Sequence, residues 1–284
     1  IAIGLDLLIG RQSPAVSAVI ALGTVGLVVV LMVIGPALGL VESADVKRDV
    51  FSEPVGDAAS AEVTLGLSVG QATVQALADS PNLIEADLSY VGEIDFQASG
   101  ESAKIIRLRQ AEDSPTSIST WPFASFFPGN SGLELRWDIG LSPAVPLALE
   151  IGGGVGDTTL DLAGLQISGL EVNAGVGDIA VKLPDGQYNA TLNGGVGAFD
   201  VTVSSGADIT LQINGGVGSY TVDVPDDAAV RVEADTGLGD VSVPRDFNQI
   251  SSDDNEIWES EGFAGAEDQI VILFDGGIGD LTIR

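Results

Sequence analysis

The 284-residue chain contains no histidine and no cysteine. Their absence removes Cys/His zinc sites, haem and iron–sulfur ligation by those residues, His-based triads, thiol nucleophiles and disulfides. A cysteine-free chain survives in oxidising and reducing compartments alike, so the compartment stays open. Bases are scarce as well: 11 Lys and Arg stand against 41 Asp and Glu, a net charge of −30. Such a surface repels phosphate backbones, and nucleic acid is excluded as a partner. Aromatics make up only 5% of a chain that is 45% hydrophobic, and 37 residues are glycine. Small and β-branched side chains must therefore do the packing, which suits short strands joined by glycine corners.

Charge is nearly missing from residues 1–41, where only Asp6 and Arg11 carry any. The stretch Ala15–Val41 has none over 27 residues. About 20 apolar residues in a helix cross a hydrocarbon core of roughly 30 Å, so residues 15–41 are expected to be a transmembrane helix in contact with membrane lipid. The apolar segment 1–14 reads as the possible end of an earlier membrane helix. Gly35 and Gly39 have the G-x-x-x-G spacing that lets membrane helices approach, and are candidate helix-packing positions. Pro36 beside them also suits the fraying end of the helix. Arg11 on one side and Lys47 with Arg48 on the other leave the basic count nearly balanced. An earlier helix ending near Gly10 would place Arg11 in a short cytoplasmic turn and residues 42–284 outside, the orientation expected here.

Beyond a linker at 42–59, the sequence repeats. A Gly-aliphatic-Gly tripeptide recurs with second glycines at Gly156, Gly177, Gly197, Gly218, Gly239 and Gly279, in steps of 21, 20, 21, 21 and 40. Val69-Gly70 and Val91-Gly92 precede them, 22 residues apart. A fixed period near 21 signals a solenoid. After each glycine, apolar residues fall at offsets +2, +4 and +6, as in Ile179, Val181, Leu183 and Phe199, Val201, Val203, with Lys182, Asp200 and Thr202 between them. That period of two marks strands with one buried face. A second alternating run, such as Ala207, Ile209, Leu211 and Ile213, closes the coil, with Pro184 and Pro225 at the corners. The expected fold is an all-β parallel β-solenoid over residues 60–284, a β-helix with a 20–22 residue period. Dividing the span from Gly70 to Gly279 by the period gives about ten coils, and a stack near 50 Å at roughly 4.8 Å per coil.

Two insertions break the alternation, at 111–132 and 245–266. The simplest reading of both is a loop folded over the flank with its aromatics tucked in. Trp121, Phe123, Phe126 and Phe127 of the first are also a candidate interaction site, as an aromatic anchor for a partner or the bilayer interface.

The apolar N-terminal run, the segment LRWDIGLSPAVPLALEIGGGVGDTTLDLAGLQISGLEVNAGVGDIAVKLP and the repeated NGGVG turns resemble the bacterial toastrack family, including the LiaF-type cell-wall-active-antibiotic response proteins. The resemblance implies a membrane-tethered β-solenoid without catalysis or cofactor, acting in envelope-stress sensing or as an adhesin.

Competing chemical motifs fail. Gly153-Gly154-Val155-Gly156-Asp157 is close to a calcium-binding nonapeptide, but Thr158 stands where aspartate is needed and the period is 21 rather than nine. The glycines also miss the G-x-G-x-x-G fingerprint. Asp157, Asp178, Asp240 and Asp280, with Glu93, share the position after the corner, where carboxylates bond turn amides; a cation held between Asp157 and Asp178 is the alternative. No metal and no enzymatic activity are expected. The function that remains is protein–protein contact at the bacterial cell membrane, with the solenoid extracytoplasmic. The partner is another membrane protein, such as a sensor kinase, or a second copy. Because FDGGIGDLTIR stops five residues past Gly279, the final coil is expected to lie uncovered and to promote a homo-oligomer that strengthens with salt.

Overall fold

The structure, a computed structural model, describes residues 46–111, 135–235, 237–252 and 256–284. They belong to one compact unit. Alternation of apolar and polar residues makes almost all of it strand. The first third holds β1 (Val46–Pro54), β2 (Ser60–Gly66), β3 (Gln71–Ala76), β4 (Asn82–Val91), β5 (Ile94–Ser99), β6 (Ala103–Gln110) and β7 (Arg136–Leu141). The repeats follow as β8 (Leu147–Gly152), β9 (Thr158–Asp161), β10 (Ile167–Asn173), β11 (Ile179–Leu183), β12 (Gly186–Asn193), β13 (Phe199–Val203), β14 (Ala207–Asn214) and β15 (Tyr220–Asp223). The chain continues through β16 (Val230–Asp235), β17 (Val241–Ser242), β18 (Asn248–Ser252), β19 (Glu256–Glu259), β20 (Ile270–Asp275) and β21 (Leu281–Ile283).

Each coil contributes one strand to each of two sheets. The first sheet runs β1-β4-β7-β3-β9-β11-β13-β15-β21-β17, and the second β18-β19-β16-β20-β14-β12-β10-β8-β2-β6-β5. Pairing is parallel and in register through the middle, for example Val181 beside Leu160 and Val201. The fold is therefore β-rich and solenoid-like. The alternation places side chains as the sequence indicates: Ile179, Val181, Leu183, Phe199, Val201 and Val203 are buried, while Lys182, Asp200 and Thr202 are exposed. Inward residues of both sheets merge into one hydrophobic core. Phe199 and Tyr220, on neighbouring coils, stack with ring centroids 5.2 Å apart, and Phe274 meets Tyr220 edge-on from the opposite sheet at 5.4 Å.

The order of coils departs from the order of the chain. Strands β20 and β21 lie between β14/β15 and β16/β17, so the coil that is latest in sequence is an inner rung with neighbours on both sides. This overturns the expectation of an uncovered final coil. The end of the stack is instead β16/β17, extended by β19 and β18 in antiparallel pairing. Aromatics of the 245–266 segment are buried there, Trp258 on β19 and Phe263 in a single 3-10 turn.

The other end differs too. Val91-Gly92 is not a coil corner; it joins β4, antiparallel to β7 and β1, to β5, antiparallel to β6. Ile94 and Phe96 are consequently only half-buried and Ala98 is exposed. Within the segment read as a linker, residues 46–54 form β1; its charged composition, suited to an edge strand, hides its pairing from sequence. Among the described residues the parallel coils number eight: β6/β7, β2/β3, β8/β9, β10/β11, β12/β13, β14/β15, β20/β21 and β16/β17. The count near ten assumed that every 21 residues make one parallel coil, and the antiparallel ends do not.

Among the described residues no helix is long and apolar enough to cross a membrane. The run 15–41, with Gly35 and Gly39, lies outside the described residues, as does the segment 1–14.

Candidate functional site

The repeat first builds its corners. Val69, Val155, Val176, Val196, Val217, Ile278 and Leu238 follow one another as bridges along the stack. The glycine after each needs positive φ, for instance 146° at Gly197, where an added Cβ would lie 2.1 Å from the Gly177 carbonyl oxygen. Glycine is required twice over, by backbone conformation and by the approach of the neighbouring coil. The aliphatic residues of the corners form a ridge, with Val176 and Leu238 47% and 65% exposed. In the coil of β6 and β7, the described chain resumes at Leu135, which packs against Gly70.

Beside the ridge, the corner aspartates bond to the next coil. The Ala198 amide donates to Asp178 Oδ1 at 2.9 Å, the Asp240 amide to Asp280 Oδ1 at 3.0 Å, and the Asp178 amide to Asp157 Oδ1 at 3.4 Å. On the other side runs an asparagine ladder that sequence reading did not single out. Asn193 Nδ2 donates to Asn173 Oδ1 at 2.7 Å, and Asn214 Nδ2 to Asn193 Oδ1 at 2.6 Å. Its signal was available in the Asn opening each NGGVG turn. Stacking of identical amides in register satisfies donor and acceptor along the coil axis. Among the described residues no group of three Asp or Glu is placed to hold a metal ion.

Charge is then distributed unequally between the two ends. Six of the 11 bases, Lys47, Arg48, Lys104, Arg107, Arg109 and Arg136, lie on β1, β6 and β7. Here the two sheets are tied together: buried Lys104 pairs with Glu53 and donates to the Pro54 carbonyl at 2.6 Å, and Phe51 meets Phe96 with centroids 5.3 Å apart. The Tyr90 hydroxyl donates to Asp49, and burial together with that carboxylate pushes its pKa up to about 12. A hollow on the outer face is lined by Arg48, Asp87, Ser89, Arg136 and Asp138, in which Arg136 pairs with Asp138. At the opposite end a second hollow is acidic, lined by Glu233, Asp235 and Asp275 with Gln212 and Leu273. Trp121, Phe123, Phe126 and Phe127 lie outside the described residues.

Against known proteins, residues 41–203 match the model of the family described as N-terminal domain of toast_rack, DUF2154. The chain belongs to the toastrack family. Among solved structures, the toastrack chain is similar to a candidate cell adhesion protein from Clostridium sporogenes, with 18% identity and a TM-score of 0.53 over 84% of this chain and 99% of that one. This likeness shows the fold. A candidate adhesin from Bacteroides fragilis matches at 12% identity with a TM-score of 0.31, over 85% of this chain and 98% of that one. No curated protein matches.

Proposed function

We propose that this toastrack protein is a non-catalytic binding scaffold on the surface of a bacterial cell, tethered by residues 15–41, whose work is contact with another protein. One observation carries the reading: the polar side chains that the repeat aligns at its corners are engaged with neighbouring coils. Corner aspartates accept amides and asparagines bond to each other, so the corner groups hold the stack while the strands present extended faces to a partner. A scaffold of this kind suits the regulation of a membrane-bound sensor kinase in the envelope-stress response.

The test uses the lack of cysteine. In the full chain, Thr202→Cys puts a thiol on an exposed face, where a membrane-impermeant maleimide should label it in intact cells. Protection in intact cells with labelling after lysis would place the solenoid inside and reject the surface reading. Recovery of a stoichiometric kinase with the detergent-solubilised protein would support the regulatory role. A second reading, an adhesive component that contacts its own copies, draws support from edge strand β1, which pairs with β4 on one side and with no described strand on the other.

A further inference from the structure

We propose that two copies pair two-fold and antiparallel through the outer edge of β1, centred on Val50. This deepens the protein-contact reading above, and rests on it, by naming a second copy as one partner. Strand β1 ends its sheet; β4 pairs with one side of it, and no described strand pairs with the other. It is nine residues long, with its single register shift at the far end, between Glu53 and Pro54. The remaining sheet ends are shorter: two residues in β17, five in β18 and six in β5. A row of unpaired amides and carbonyls of that length is a template for another strand.

Charge selects the occupant. A chain of −30 repels its own copy over most of its surface. Strand β1 carries Lys47 and Arg48 against Asp49 and Glu53 and is neutral, and the bases of β6 and β7 lie at the same end of the stack. The opposite end is strongly acidic, with Asp226, Asp227, Asp240, Asp246, Glu259 and Glu261 around its outer strands. Contact between two copies therefore meets least repulsion at β1.

Register follows from parity. A two-fold axis normal to the sheet keeps outer side chains opposite outer ones, so the pairing can slide only in whole steps that preserve faces. Centred on Val50, Lys47 of each copy lies opposite Glu53 of the other, Arg48 opposite Ser52, and Val50 opposite itself. Centring on Asp49 sets that carboxylate against its own copy, and centring on Phe51 sets Asp49 against Glu53. With Glu53 already paired to Lys104, what selects the register is the absence of like charges set opposite each other, and of these three only the Val50 register has none. Val50 itself is 73% exposed, an apolar side chain on the outer face that the axis would cover.

The full chain in detergent should have the mass of two 28.9 kDa copies, and Val50→Asp, at an exposed position, should weaken pairing at least tenfold. Mild oxidation of Val50→Cys should give a disulfide dimer, because opposed residues of an antiparallel pair lie within bridging distance. Arg48→Cys and Ser52→Cys would each stand about 14 Å from their own copy and should cross-link at least tenfold more slowly. Ile250→Cys, on β18 at the acidic end, should not cross-link. A single-chain mass at every concentration, or faster cross-linking of Ile250→Cys than of Val50→Cys, would overturn the proposal. A single chain that still captured another protein would remove the dimer and leave the scaffold reading standing.

Discussion

The middle of the stack and its two ends are held by different means. From β8 to β15 each coil repeats the one before it: parallel strands, a glycine corner, an asparagine or aspartate bonded to the next rung, and inward aliphatics that pack on their own kind. At the ends the strands turn antiparallel, and the contacts are particular: Lys104 with Glu53, Phe51 on Phe96, Arg231 bridging Glu233 and Glu259 at 2.7 and 2.8 Å. A repeat that stabilises itself by nearest neighbours needs terminal elements unlike itself, since the last rung has a neighbour on one side only. Periodic sequence specifies the middle, whereas irregular sequence closes it.

The largest loss is expected in the middle of the stack. Val201 is 1% exposed, so Val201→Asp buries a charge without a partner and should cost about 4 kcal/mol or more. Thr202→Asp, facing solvent one residue on, should cost well under ~1 kcal/mol. Equal losses in urea unfolding would reject the inward and outward assignment.

An end should yield differently. Trp258→Ala removes the buried aromatic of β19 and should cost about 3 kcal/mol. Amide exchange should quicken in β16, β18 and β19 and stay slow in β10 to β13; uniform loss of protection would mean that the ends are not separable units.

Corner glycines sharpen the contrast within one residue type. Gly197→Ala combines positive φ with a collision against the next coil and should cost about 2–3 kcal/mol. Gly164→Ala, at φ 84° with open space around it, should cost about 1 kcal/mol. Similar melting temperatures for the two variants would show that conformation, not coil approach, sets the requirement.

The smallest effect is with pH. With no histidine or cysteine, stability should be nearly flat between about pH 6 and 9. Burial raises Tyr188 above the ordinary tyrosine value, and Tyr90 is raised to about 12. A raised folded-state pKa gives stability that is whole below pH ~10 and is lost as pH climbs toward the folded value, because only the unfolded chain releases the proton there. Alkaline titration of Tm should therefore show a decline beginning near pH 10, reduced in Tyr90→Phe.

How far sequence alone reaches follows the same division. The inward set, the glycine corners and the proline positions between runs were legible, since each depends on residues within one coil. Burial of Phe199, Val201 and Val203 needs only the alternation. Spatial order was not legible. A period says how far apart corners are in sequence, not which coils touch, and Val91-Gly92 has the composition of a corner while serving an antiparallel connection. Strand β1 was hidden because an edge strand wears the charges of a linker. The asparagine ladder needed register, which places Asn173, Asn193 and Asn214 side by side.

The interleaved coil has a consequence for synthesis. A chain emerging N-terminus first can lay β8 to β15 rung on rung as they appear. Strands β16 and β17 then have no seat, because the surface they rest on is made of β20 and β21, which have not yet been translated. The stretch from β16 to β19 can take its final place only after the later strands have been laid down. Assembly at this end thus follows spatial order rather than chain order, and the later-made rung must be seated before the earlier one.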